Sequence, residues 1–187
     1  MERRPLLGDE AVALGAIHAG LSGAFAYPGT PATEIFEFVE RETKDGPPAT
    51  AGGVHHSWSA NEKVAYEEAL GMSYVGRRAL VSFKHVGLNV AADPFMNSAV
   101  TGVDGGLVLA VGDDPGMHSS QNEQDSRVFA DFALLPCLEP ASGQEAYDMT
   151  REAYELSERA RLPVMLRLVT RLAHSRSGVQ VGERRAP

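Results

Sequence analysis

Gly106-Leu107-Val108-Leu109-Ala110-Val111 runs directly into Gly112-Asp113-Asp114-Pro115-Gly116-Met117-His118-Ser119-Ser120-Gln121-Asn122-Glu123-Gln124-Asp125, and this junction decides the fold. The first half is a short, uninterrupted apolar run, the pattern of a strand buried on both faces. The second half is long, polar and punctuated by Gly and Pro. Ordering such a loop costs conformational entropy, so it is rarely kept without a use. In open α/β sheets, ligands sit in the crevice beyond the carboxyl ends of the strands. The loop therefore marks where recognition or chemistry is expected.

Outward from this junction, apolar runs alternate with helical patterns. Upstream, the pattern assigns a helix over residues 10–19, capped by Asp9 or Gly8 and stopped by Gly20, then a strand over residues 23–27. Thr30 and Pro31 fit the cap and first position of a helix through Phe36, Val39 and Glu40. Residues 44–53 read as a loop and 54–58 as a strand. Ser59, with Glu62 three residues on, fits the capping box of a helix over residues 60–74. A strand over residues 78–83 and a helical stretch over 86–100 follow, with Pro94 expected to kink or split the latter. Downstream come a short helix over residues 127–132, a short strand over 134–138, a helix over 144–159 capped by Ser142, and a last strand over 163–168. Residues 1–174 form one domain in this reading, and 175–187 a polar, disordered tail.

Strands alternating with helices predict a doubly wound α/β fold with a mainly parallel sheet of about six strands. Right-handed crossovers then bring every strand-to-helix loop to one edge of the sheet. Those loops, residues 27–30, 58–62, 82–89 and 112–125, are the most polar and unusual stretches of the chain.

Composition narrows the function. The chain has 187 residues and a formal net charge of -8, which disfavours a nucleic-acid platform. No apolar stretch has the length of a membrane span, and the N-terminal residues lack the apolar core of a signal peptide. A lone cysteine, Cys137, allows neither an intrachain disulfide nor an iron–sulfur cluster ligated by this chain, and it is expected to be inert. Cytoplasmic residence is the default. Walker, Rossmann and nucleophile-elbow signatures do not occur.

Several polar residues stand where chemistry is expected. Glu62 either closes a capping box on the Ser59 amide or stands as a free carboxylate in the first turn of a helix, where the helix dipole favours it. Lys84 and His85 lie where the chain turns after a strand, and Asn89 either opens a helix or faces a ligand. The long loop carries Asp113, Asp114, His118, Ser119, Glu123 and Asp125. Their spacing matches neither an EF-hand nor a zinc signature, so no metal ligand is assigned. His55 and His56 point to opposite faces of a strand and read as structural.

The motifs in residues 27–31, 61–65, 84–94 and 112–125 together resemble the N-terminal, pyrimidine-binding domain of the indolepyruvate ferredoxin oxidoreductase alpha subunits. These belong to the thiamine-diphosphate-dependent 2-oxoacid:ferredoxin oxidoreductases. The resemblance implies that Glu62 hydrogen-bonds the aminopyrimidine of thiamine diphosphate and is catalytic. It implies cofactor contacts from Gly29, Thr30, His85 and Asn89, and loop or substrate roles for Asp113, Asp114, His118 and Ser119. It further implies partners: a second α/β domain holding the diphosphate through Mg²⁺, a segment carrying iron–sulfur clusters, and a beta subunit. Gly112-Asp113-Asp114 departs from the Gly-Asp-Gly signature of the diphosphate-binding domain, so this chain corresponds to the pyrimidine half alone. The implied reaction decarboxylates an arylpyruvate such as indolepyruvate to its acyl-CoA and passes electrons to ferredoxin. Alternatives are the alpha subunit of a two-chain, sulfopyruvate-type decarboxylase and a non-catalytic interaction module of the same fold. Self-association is also expected, because an uncovered domain edge would expose apolar surface.

Overall fold

The computed structural model describes residues 2–47 and 53–185. Strand β1 (Glu2–Leu7) is followed by α1 (Gly8–His18), β2 (Gly23–Ala26), α2 (Thr33–Thr43), β3 (His55–Trp58), α3 (Glu62–Tyr74), β4 (Ala79–Lys84), α4 (His85–Val90), α5 (Ala92–Thr101) and β5 (Leu107–Asp113). Then come α6 (Arg127–Ala133), β6 (Cys137–Leu138), α7 (Gly143–Ala160), β7 (Val164–Val169), α8 (Thr170–Ala173) and β8 (Arg176–Val181). Six strands form one sheet in the order β3-β2-β4-β5-β7-β6, and every pair in it is parallel.

The central strands divide their side chains between two cores. Ala24, Ala26, Leu80, Val108 and Ala110 face one layer, built from α1, α2 and α7. Phe25, Val81, Phe83, Leu107, Leu109 and Val111 face the other, built from α3, α4 and α5. The period of two along each strand is what separates the layers. His55 packs on Phe25 and His56 on Phe36, so the histidine pair sits on opposite faces in structural contacts.

The sheet has its topological switch between β2 and β4. From β2 the chain leaves to β3 on one side, and from β4 it leaves to β5 on the other. A switch of this kind is where open α/β sheets place their ligand crevice, outside the carboxyl ends of the strands.

Some boundaries differ from those expected. Residues 176–181 of the expected disordered tail form a strand instead: β8 pairs antiparallel with β1 along its whole length, and Val179 is fully buried. Residues 186–187, and 48–52 of the expected loop, lie outside the described residues. Neither Asp9 nor Gly8 caps α1; both lie inside the helix, and the Leu7 amide donates to the Glu10 carboxylate instead. Thr30 and Pro31 do not open α2. They form a turn with a cis peptide bond between them, and the helix begins at Thr33, whose hydroxyl accepts the Gly29 amide. The stretch through Pro94 is split at Ala91, three residues before the proline, and Pro94 sits in the first turn of α5 where its missing N–H is harmless. Residues 134–138 supply only the two-residue β6, because Leu134 terminates α6 in the left-handed region and stays exposed. Ser142 does cap α7, its hydroxyl accepting the Glu145 amide.

Candidate active site at the carboxyl edge of the sheet

The cap of α3 decides the state of Glu62. Asn61, not Ser59, is the N-cap, and its side chain accepts the Val64 amide. The Ser59 amide donates to the Ala26 carbonyl and its hydroxyl to Glu68. The capping-box reading of Glu62 is therefore overturned. Its half-buried carboxylate has no hydrogen-bond partner among the described residues and lies at the first position of α3.

Gly87 on α4 provides the space for it. A Cβ there would fall 2.5 Å from Glu62 Cγ and 2.8 Å from Oε1. A glycine inside a helix costs up to about 1 kcal/mol relative to alanine, and the close approach of Glu62 explains its presence. Gly87→Ala is expected to retain or raise thermal stability while displacing Glu62. For a carboxylate that takes part in a reaction, a displacement of about 1 Å lowers turnover by about 10²-fold. Unchanged turnover in a steady-state assay of the assembled enzyme would show that the position of Glu62 is unimportant.

The remaining loops converge on the same edge. Gly29 packs against the aliphatic part of Lys84, whose Nζ donates to the Ser119 carbonyl at 2.9 Å. Fully buried His85 lies 2.9 Å by Nε2 from Asn122 Oδ1, and its carbonyl accepts from Gln124. His85 Nδ1 is buried without a partner among the described residues. Thr30 is half-buried on the turn beside Gly29. Asn89 does not open a helix; it is exposed in the last turn of α4.

Three of the loop carboxylates, those of Asp113, Asp114 and Asp125, are taken up by bonds within the protein. Asp113 accepts from the Ser126 amide at 3.0 Å, from the Ser126 hydroxyl, and from Arg167 Nε at 2.7 Å, all within the interior. Asp114 accepts at 2.7 Å from the Ser119 amide, from the Ser120 hydroxyl and from the Thr170 hydroxyl. Burial works against the charge of Asp114, but these hydrogen bonds outweigh it and hold its carboxyl well below the usual range. His118 and Ser119 are exposed on the loop. Asp125 pairs with Arg127, and that hydrogen bond holds its carboxyl down to about 2 despite the opposing effect of burial.

Sequence reasoning missed Asn61, Gly87, Asn122 and Thr170. Asn61 carried a local signal, since Asn caps helices as well as Ser does. Gly87 carried a weaker one, as an interior helical glycine. Asn122 and Thr170 act across the sheet edge, and no local pattern marks them.

A family model described as pyruvate flavodoxin/ferredoxin oxidoreductase, thiamine diphosphate-binding, matches residues 14–186. The chain belongs to this family. It is 50% identical over 182 residues to the indolepyruvate oxidoreductase subunit IorA of Thermococcus kodakarensis, covering 97% of this chain and 27% of that protein. The corresponding subunit of Archaeoglobus fulgidus is 48% identical, with 95% and 28% covered. The chain thus spans little more than a quarter of these relatives. The fold matches the 2-oxoglutarate:ferredoxin oxidoreductase of Magnetococcus marinus with a TM-score of 0.82 at 21% identity, over 97% of this chain and 32% of that one.

Among the described residues, no helix is long and apolar enough to cross a membrane. Burial, and then the charge of Glu139, push the Cys137 thiol up to about 11. Alkylation of Cys137 at neutral pH is accordingly expected to run about 100-fold slower than that of a free cysteine, followed by mass spectrometry. Labelling at the free-thiol rate would contradict its inertness.

Proposed function

We propose that this chain is the pyrimidine-binding half of a cytoplasmic, thiamine-diphosphate-dependent oxidoreductase. In this reading the enzyme decarboxylates indolepyruvate and related arylpyruvates to acyl-CoA and passes the electrons to ferredoxin. The observation that carries the reading is the Glu62 carboxylate, left without a hydrogen-bond partner among the described residues at the carboxyl edge and seated over Gly87. Identity to indolepyruvate oxidoreductase subunits across nearly the whole chain supports the substrate class.

The residues present fit the pyrimidine end of the cofactor. A carboxylate seated against Gly87, with no hydrogen-bond partner among the described residues, offers a hydrogen bond at the carboxyl edge, and the buried Nδ1 of His85 on the same short helix as Gly87 likewise lacks a partner among them. The diphosphate end has no such fit, because Asp113 and Asp114 are bonded internally. Mg²⁺ and the diphosphate are therefore assigned to a partner domain. When bound, the cofactor supplies the carbon nucleophile and electron sink that decarboxylation requires.

Glu62 holds and exchanges a proton at its carboxylate oxygen. Its place at the start of α3 keeps the carboxylate favourably aligned with the helix dipole. In this reading Gly29 and Thr30, at the end of β2, and Asn89, exposed on α4, contact the cofactor, while fully buried His85 lies beneath them and faces Asn122. Asp114 acts indirectly, by shaping the loop that carries His118 and Ser119. Closure by the partner domain excludes water from Glu62, which strengthens its hydrogen bonding. Tyr27, Trp58 and Met117 stand exposed on the loops and strand ends of this edge and suit such a cover.

The test is reconstitution. The chain is combined with a diphosphate-binding domain, its cluster-bearing segment and a beta subunit, and CoA-dependent turnover of indolepyruvate is followed by reduction of ferredoxin. Turnover supports the proposal. Turnover of sulfopyruvate with a diphosphate-binding chain alone would favour a simple decarboxylase. Assembly without either activity would leave an interaction module.

A further inference from the structure

Away from the sheet edge described above, one side-chain cluster has no explanation in the fold. Asp9, in the first turn of α1, is completely buried, and neither of its carboxylate oxygens has a hydrogen-bond partner among the described residues. Glu34, in the first turn of α2, likewise has a buried, unpartnered Oε2. His174, immediately after α8, places Nε2 3.5 Å from Glu34 Oε1. One donor atom from each of the three lies within 4.8 Å of the other two. We propose that Asp9, Glu34 and His174 bind a single divalent transition-metal ion of the Zn²⁺ class, which ties α1, α2 and α8 together.

A buried carboxylate must be protonated or answered by positive charge. Burial, followed by the charges of Glu34 and Glu10, pushes the Asp9 carboxyl well above its usual range. No lysine or arginine pairs with Asp9 or Glu34 among the described residues; Arg41 and Arg176 face Glu10 instead. The cluster thus gathers two carboxylates without a cation of the protein's own. A metal ion would supply that charge and satisfy the orphaned oxygens.

The donor set points to the class of ion. Imidazole with carboxylates suits Zn²⁺ and its neighbours, whereas Mg²⁺ and Ca²⁺ prefer oxygen alone. The side chains of Glu34 and His174 are about a third exposed, at 36% and 37%, so an ion can enter from solvent and keep a water ligand. Gly8 lets α1 and α8 meet closely: a Cβ there would fall 2.3 Å from the Leu172 carbonyl oxygen of α8.

The position gives the ion a structural role. Glu34 follows Thr33, which holds the Gly29 amide, and α8 begins with Thr170, which holds Asp114. An ion joining α2 to α8 therefore braces both the β2–α2 turn and the anchor of the long loop. The site shares no residue with Glu62, and its test needs neither cofactor nor turnover.

The 187-residue chain is stripped with chelator and titrated with Zn²⁺, and separately with Co²⁺ as a spectroscopic probe. Binding of one equivalent is expected, with a rise in melting temperature that grows with free metal as linkage requires. Co²⁺ should show absorption bands of a nitrogen- and oxygen-ligated ion. His174→Ala and Glu34→Gln change half-exposed side chains and should fold normally, yet weaken Zn²⁺ binding by about 100-fold or more, at least the loss that follows from removing a mere supporting contact. Asp9→Asn should abolish binding and raise the stability of the metal-free chain. Absence of Zn²⁺ binding by the unsubstituted chain overturns the proposal, as does equal binding by the His174→Ala and Glu34→Gln variants.

Discussion

Glu62→Gln in the assembled enzyme is expected to lower turnover by about 10²–10⁴-fold, the range typical for loss of a positioned acid–base group. Glutamine preserves the shape and length of the side chain but cannot exchange a proton at that oxygen. Because the carboxylate has no hydrogen-bond partner within the described protein, nothing structural is lost. The melting temperature should therefore stay within the small range of a neutral substitution, about 0.5 kcal/mol. The pairing of a large kinetic loss with unchanged stability separates a catalytic role from a capping role. A capping carboxylate would show the reverse, since losing a cap costs about 0.5–2 kcal/mol and leaves chemistry intact.

The second large effect concerns stability. Arg167→Met is expected to destabilise the domain by about 3–5 kcal/mol, because it leaves the Asp113 carboxylate buried without its cation. Asp113 is fully buried and the Arg167 side chain is 6% exposed, so water cannot substitute for the lost partner. For a domain of this size the loss corresponds to a fall of about 10 °C in melting temperature. The same arginine also reaches Glu139, which pairs with Arg127 on α6. The damage should therefore extend to the end of the long loop and raise its proteolytic sensitivity. Replacing Asp113 and Arg167 together by apolar residues of similar volume should cost less than the sum of the two single changes. A loss below about 1 kcal/mol in Arg167→Met, measured by chemical denaturation, would mean that the pair is not a structural anchor.

The parallel sheet was legible because β2, β4, β5 and β7 read as apolar runs separated by helical patterns. The carboxyl-edge location of the site was legible for the same reason, since crossover handedness fixes which loops gather there. The β1–β8 ribbon was not. Its strands lie at opposite ends of the sequence, and β8 buries only Val179 and Val181 among exposed polar residues. Such a pattern resembles a solvated tail until the partner strand is known. The cap of α3 failed for a different reason. Ser59 and Asn61 are both good caps two residues apart, and the choice is made by the Ser59 amide joining the Ala26 carbonyl at the end of β2.

Carboxylates in the long loop were legible as a group but not by role. Asp113 and Asp114 sit next to each other, and the strand register turns one toward Arg167 and the other toward Thr170. Arg167 and Thr170 come from β7 and α8, more than fifty residues away, so no local pattern reveals these two partners. Glu62 was legible as a position and ambiguous as a function until Asn61 was seen to hold the cap. Asp9 read as a cap and is instead a buried acid without a partner among the described residues, because α1 begins two residues earlier than its helical pattern suggests.

The central claim is that the Glu62 carboxylate exchanges a proton with the aminopyrimidine of thiamine diphosphate. The most direct measurement is hydrogen–deuterium exchange at the thiazolium C2 of the cofactor in the assembled enzyme, compared between the unsubstituted protein and Glu62→Gln by NMR of quenched samples. Exchange should slow by about 10²–10⁴-fold in the variant, toward the rate of the free cofactor. Equal exchange in the two proteins, with the cofactor bound in both, would contradict the account.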